Sequence, residues 1–237
     1  MNDDELMRYS RQILLKEFDI EAQETLKQSS VMIVGAGGLG CPCAMYLGSA
    51  GVGQMILVDD DVVELSNLQR QIGHNSNSVG VNKVDSLKST IEGLNPNVEV
   101  KAMVQRLDET IAETFIPTVD LVLDCSDNFA TRFLLDQLCQ KHKIPSVIGA
   151  AQGMEGQVFV FDHQTSTSCY SNVFHPQDVD EEQNCATSGV LAPVVGVVGS
   201  FQALLAIKLL TGFGESDVGK CFTYDFYASR WLALSLG

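Results

Sequence analysis

The 237-residue sequence contains no CxxC pair, and its seven cysteines, at 41, 43, 125, 139, 169, 185 and 221, are odd in number. A disulfide framework needs paired cysteines, so reduced cytosolic thiols are the expectation. Basic residues are scarce, with 15 Lys and Arg against 30 Asp and Glu and a net charge of −15. A duplex-wide nucleic-acid surface needs clustered Lys and Arg, so that class is excluded, while a local basic site for one phosphate group is not. The opening residues, MNDDELMRYSRQ, are acidic and polar and carry no secretory pattern. No internal repeat or low-complexity tract is visible. A hydrophobic share of 45% with 19% charged residues excludes a disordered chain. One uncharged run, residues 189–207, approaches the length of a membrane span. Ser200 and Gln202 inside it, Lys208 beside it and the lack of flanking basic residues favour a buried core or subunit-interface helix, so no membrane span is expected.

What is present reads as one domain over residues 1–237. Residues 1–28 form a helical N-terminal arm, with Leu6, Ile13 and Leu14 at near-helical spacing and Asp3, Asp4 and Glu5 at its start. Val31-Met32-Ile33-Val34 is a short apolar run without alternation, as in a strand buried on both faces. A glycine-rich turn and a helix over 41–49 follow it. Strands are predicted at 55–58, 98–104, 119–123 and 146–150, and helices at 84–94 and 129–142. This alternation predicts a Rossmann-like, doubly wound α/β fold with a mostly parallel sheet. After Gly156 the pattern turns antiparallel, with a strand over 157–162 and one more bent strand over 221–231. Between them, residues 163–188 are polar and include Asp178, Asp180, Glu181 and Glu182, which predicts a flexible loop.

Gly35, Gly37 and Gly40 make GxGxxG between a strand and a helix. Glycine lets the backbone turn tightly beside a phosphate, and the helix N-terminus adds free N–H donors. Asp59, 24 residues after Gly35, ends the second strand, where a carboxylate can accept from ribose hydroxyls. The pattern indicates an adenosine-containing ligand and leaves NAD, FAD and ATP open. Arg70 and Lys83 follow directly on that nucleotide strand. A triphosphate needs such cations more than a dinucleotide, whose pyrophosphate rests on the glycine turn. Asp127 sits past the fourth strand, on the carboxyl edge where ligands bind in this fold class. There it is placed either to hold Mg²⁺ or to cap the next helix.

The ordered set Arg8-Tyr9-Ser10-Arg11-Gln12, the glycine turn with Gly38, Asp59-Asp60-Asp61, Ser66-Asn67-Leu68-Gln69-Arg70-Gln71, Lys83, Asp124-Cys125-Ser126-Asp127-Asn128 and Gly149-Ala150-Ala151 resembles the ThiF/MoeB/HesA family, bacterial relatives of ubiquitin-activating enzymes. The resemblance covers nearly the whole chain. It implies a cytoplasmic, ATP- and Mg²⁺-dependent adenylyltransferase acting on a ubiquitin-like sulfur-carrier protein that ends in Gly-Gly. The carrier's terminal carboxylate attacks the α-phosphate, leaving an acyl-adenylate for sulfur transfer in a molybdopterin or thiamine type pathway. By the same resemblance Gly38, Asp59, Asp61, Ser66 and Asn128 line the nucleotide, and Asn67, Arg70 and Lys83 hold phosphates. Asp127 binds Mg²⁺. Arg11 reaches the partner subunit's site in a homodimer. Cys185 stands where some relatives carry a sulfur-transfer cysteine, which would meet a sulfur donor protein. Many members also bind zinc through two CxxC pairs, but here Cys169 is followed by Asn172 and no second pair exists, so no zinc is expected. The alternatives are a catalytically silent binding module and an NAD-dependent oxidoreductase, the latter without a motivated hydride-transfer residue.

Overall fold

The computed structural model describes residues 1–175 and 189–236. One eight-stranded sheet runs through them: β1 (Ser30–Val34), β2 (Gln54–Val58), β3 (Glu99–Met103), β4 (Leu121–Asp124), β5 (Ser146–Gln152), β6 (Glu155–Phe161), β7 (Lys220–Asp225) and β8 (Arg230–Ser235). The spatial order is β3-β2-β1-β4-β5-β6-β7-β8. The first five strands are parallel, and β5 to β8 pair antiparallel. Sequence order reverses at β1, which pairs with β2 on one side and β4 on the other, so the crevice between β1 and β4 opens at its carboxyl end.

The parallel strands are buried as their unbroken apolar runs require: Val31, Met32, Ile33, Leu121, Val122 and Leu123 are each at most 1% exposed. Helices α3 (Gly40–Ala50), α4 (Lys83–Leu94) and α8 (Ala192–Thr211) share one core with Ile33, Leu57 and Leu123. Helices α5 (Glu109–Phe115) and α6 (Phe129–His142) cover the other face, around Met32, Val34 and Val122. The short α5 is absent from the sequence expectation. Its seven residues are too few for a visible period, and its signal is local: the Asp108 carboxylate caps it by accepting from the Ile111 amide at 2.8 Å.

Four expectations need correction. The arm is two helices, α1 (Asp3–Ile13) and α2 (Asp19–Gln28), and it is packed rather than appended. Phe18 and Leu26 belong to the core, and the Gln12 and Gln23 amides both donate to the Ala50 carbonyl. The bent strand over 221–231 is a hairpin of two strands, β7 and β8. The expected loop carries order in its first half: α7 (Tyr170–Val173) is capped by Asp136, which accepts from the amides of Tyr170 and Ser171 at 2.8 and 3.1 Å. Its second half, 176–188, including Cys185, lies outside the described residues. The uncharged run forms α8, shifted to start where Pro193 suits a first helical turn and to end at Gly212, whose φ of +69° closes it. α8 is long and apolar enough to cross a membrane, yet it packs on the sheet. Its Gln202, fully buried, donates to the carbonyls of Asp124 and Val147 at 2.8 and 3.3 Å and so rivets β4 to β5.

Candidate active site

A cavity of about 520 Å³ opens at the carboxyl ends of β1, β2 and β4. It is lined by the glycine turn, by Asp59, Asp61, Ser66, Asn67, Arg70 and Lys83, and by Asp127, Asn128 and Arg132.

The glycine turn is forced by crowding. Gly35 has φ +96°, and a Cβ there would meet the Cys125 carbonyl oxygen at 2.7 Å. A Cβ on Gly40 would lie 1.8 Å from the Gly35 carbonyl oxygen. Gly40 does not line the cavity. Its lack of a Cβ lets α3 start directly against the turn. Gly37 and Gly38 do line it, with Gly38 pressed against Val195 of α8.

Asp59 is fixed before any ligand arrives. Its Oδ2 accepts from the Ala36 amide at 2.7 Å and its Oδ1 from the Asp61 amide at 2.9 Å. Burial holds its carboxyl above the usual carboxylate range, against those two bonds and the nearby Lys83 cation. Lys83 opens α4, where the helix dipole disfavours a cation. An ion pair with Asp61, 2.6 Å from Nζ to Oδ2, compensates. The Lys83 side chain is 8% exposed, so its charge points along the cavity floor rather than into solvent. Arg70 donates to the Ser66 carbonyl at 3.2 Å and Asn67 accepts from the Glu64 amide at 3.1 Å, so one tight turn presents Ser66, Asn67 and Arg70 together.

Asp127 had two candidate roles on spacing alone. The helix cap is its neighbour Asn128, whose Oδ1 accepts from the Thr131 amide at 2.9 Å. Asp127 is exposed at the cavity wall and is left without a hydrogen bond or ion pair among the described residues. Carboxylate oxygens of Asp59, Asp60 and Asp61 also lie within 4.8 Å of one another, although two of the three already serve the turn and Lys83.

Sequence reasoning missed several contributors, Arg132 of α6 among them. Gln105, Arg106 and Leu107, just past β3, wall the cavity. Gln71 is buried, and its Oε1 has no partner there, a free acceptor at the cavity edge. His74, buried below the turn, has Nε2 2.9 Å from the Ala36 carbonyl oxygen and Nδ1 2.9 Å from Ser86 Oγ. Gln71 stood inside the quoted run, whereas His74 had no signal beyond its identity. Arg11 is exposed in the last turn of α1 and does not line the cavity. Cys169 is buried and its thiol donates to Asn172 Oδ1 at 2.7 Å.

Acids at Asp59, Asp60, Asp61 and Asp127 and cations at Arg70, Lys83 and Arg106 line one cavity beside the glycine turn, with Lys83 paired to Asp61. That donor set fits a nucleoside triphosphate with a divalent cation: oxygen ligands for the metal, cations and backbone N–H groups for the phosphates.

The chain is 44% identical over 239 residues to the molybdopterin-synthase adenylyltransferase of Escherichia coli, with 100% of this chain and 94% of that protein covered. It is 42% identical over 236 residues to the sulfur carrier protein ThiS adenylyltransferase of the same organism, covering 100% and 93%. The crystal structure of PaaA superposes with a TM-score of 0.86 at 28% identity, covering 100% of this chain and 75% of that one. The ThiF family profile matches residues 9–236, nearly the whole chain, and the protein belongs to the ThiF family.

Proposed function

We propose that this protein is an adenylyltransferase that activates the C-terminal glycine of a ubiquitin-like sulfur-carrier protein as an acyl-adenylate. The observation that carries the reading is the gathering of Asp59, Asn67, Arg70, Lys83 and Asp127 around one glycine-lined cavity at the β1/β4 crevice. Two adenylyltransferases at 42–44% identity along the full chain support it.

In the proposed reaction ATP lies with its adenosine toward Asp59, whose prealigned carboxylate accepts from the ribose. The glycine turn, Asn67, Arg70 and Lys83 hold the phosphates. A carboxylate oxygen of the carrier's terminal glycine forms a bond to the α-phosphorus, and the bond to the bridging oxygen breaks. Pyrophosphate leaves with the electron pair, and its charge falls on Lys83 and Arg70. Mg²⁺, held by Asp127, supplies charge neutralisation at the phosphates. Arg11, exposed on α1, completes the site of a second copy in a homodimer. The Cys185 thiolate is the candidate to attack the acyl carbonyl of the adenylate, forming a thioester as AMP leaves with the electron pair, and a sulfur donor would act after that step. No zinc is required, because Cys169 meets Asn172 where a second thiolate would stand. ATP supply and the unpaired thiols of the described residues suit the cytoplasm.

A binding module could keep Lys83 beside Asp61 for the nucleotide alone, so exchange rather than ATP binding separates the two readings. The deciding experiment is ATP–pyrophosphate exchange with carriers ending in Gly-Gly, from molybdopterin and thiamine type pathways, with NAD as the control ligand. Carrier-dependent exchange is expected. Binding of ATP and carrier without exchange would leave the module, and a response to NAD alone would make it a dehydrogenase.

A further inference from the structure

Arg132 is a guanidinium only 3% exposed at the fourth position of α6, and no family residue quoted above accounts for it. Its Nη2 donates to the Ser126 carbonyl at 3.1 Å. On the other side of Ser126, the amide and hydroxyl donate to Asp124 Oδ1 at 2.9 and 2.6 Å. Asp124 ends β4 with no exposure at all. Two buried polar atoms remain unpartnered, Arg132 Nε and Asp124 Oδ2. Burial raises the Asp124 carboxyl, and the Arg132 charge is the largest influence pulling it back. A buried charge of each sign in such proximity is costly and needs a reason beyond stability.

The reason lies in what stands between them. Ser126 is gripped on its amide, hydroxyl and carbonyl, and Asn128 is fixed as the cap of α6. Asp127 is the one residue between these two anchors, and its own side chain holds nothing. A carboxylate that must meet a metal cannot also be tethered, so its direction has to come from the backbone on either side.

We infer that Arg132 is a positioning residue: paired with Asp124 through Ser126, it fixes the backbone that aims the Asp127 carboxylate into the cavity. The inference rests on the reading of Asp127 as the metal-holding group. Arg132 itself transfers nothing. Arg132 has no hydrogen bond or ion pair to Asp59, Arg70 or Lys83 among the described residues, so its loss is expected to act on metal placement more than on nucleotide binding.

The test compares Arg132→Met, Arg132→Lys and Asp127→Ala. Pyrophosphate exchange gives kcat and the KM for ATP. Mn²⁺ binding, followed by electron paramagnetic resonance with a non-hydrolysable ATP analogue present, reads the metal directly. In Arg132→Met a cooperative melt, a KM for ATP within about threefold of the parent, a kcat down about 100-fold and clearly weakened Mn²⁺ binding are expected, since a misplacement near 1 Å costs on that order. Arg132→Lys restores charge and one donor, and recovers a measurable part of both losses. If Arg132→Met folds and keeps Mn²⁺ affinity and kcat within twofold, while Asp127→Ala loses both, the positioning role is overturned and the Asp127 reading stands. If Asp127→Ala also keeps both, the metal reading falls and takes this inference with it. Should Arg132→Met fail to melt cooperatively, Arg132→Gln, a neutral side chain whose amide ends short of the Nη2 position that meets Ser126, is judged by the same criteria.

Discussion

The Ala36 amide donates to the Asp59 carboxylate at 2.7 Å, tying the glycine turn after β1 to the tip of β2. The residue expected to read the ribose therefore also shapes the turn that cradles the phosphates. Asp59→Asn keeps an acceptor for one of the two amides that Asp59 now serves and loses the charge-assisted bond. ATP affinity, measured by calorimetry, should fall about 10- to 100-fold, the loss of one hydrogen bond to a charged group. The melting temperature should stay within about 4 °C, because the lost bond and the removed cost of burying a carboxylate oppose each other.

Asp127 is exposed and unpartnered among the described residues, so Asp127→Ala separates function from folding. Its melting temperature should match the parent, as for surface changes that break no contact. Pyrophosphate exchange should fall at least about 100- to 1000-fold, the usual loss for one placed electrostatic element. Exchange near the parental rate would sink the assignment.

Arg11 does not line the cavity of its own chain, and the proposed homodimer would bring it to the cavity of a second copy. Arg11→Ala and Asp127→Ala chains should each be inactive alone. Mixed dimers should regain up to about a quarter of parental exchange, because random pairing gives half heterodimers with one intact site each. Heterodimers visible by native mass spectrometry but still inactive would show that Arg11 works in its own subunit or not at all.

His74 titrates below the ordinary histidine value, chiefly because it is buried, with the Lys83 charge adding to the drop and the Ala36 bond and Asp59 opposing it. Cys41, whose thiol burial pushes up to about 12, stays neutral beside it. Neutral His74 contributes no penalty above the unfolded pKa of about 6.5, and stability is lost as pH falls below that value toward the depressed folded one. The melting temperature should drop between about pH 7 and 5. His74→Gln, which keeps a donor for the Ala36 carbonyl, should flatten that drop. An unchanged pH profile would show that His74 does not set it. His163, half-buried and likewise lowered by burial, should add to the same drop, and substituting it separately apportions the two contributions.

Cys169 is paired to Asn172 rather than to a second thiol. Elemental analysis of purified protein should find no stoichiometric zinc, and chelator should leave the melting temperature unchanged. One zinc per chain would show replacement ligands such as His163, His175 or Cys185.

Much of the fold was legible because burial on both faces leaves unbroken apolar runs. The strands at 30–34, 54–58 and 121–124 and the helix at 129–142 followed from such runs and their punctuation. The failures have different causes. The break at residues 14–18 goes with a contact distant in sequence, Phe18 reaching the core, whereas the helix at 109–115 is too short to show a period and the β7–β8 reversal is a local turn in which the Ala228 amide donates to Asp225 Oδ1 at 2.9 Å. Spacing could not say which of Asp127 and Asn128 caps α6, since both residue types cap helices.

By itself the sequence determined the strand–glycine turn–helix unit, the acid at its second strand and the cations beyond it. These are local in chain order, and their chemistry is carried by residue type. Only the tertiary structure decided that Gly40 packs against Gly35, that His74 and Gln71 stand beneath and beside the turn, and that Arg132 and Asp124 hold Ser126 between them. Those roles depend on which residues, distant in the chain, share one small buried volume, and buried polar groups take whatever partners that volume supplies.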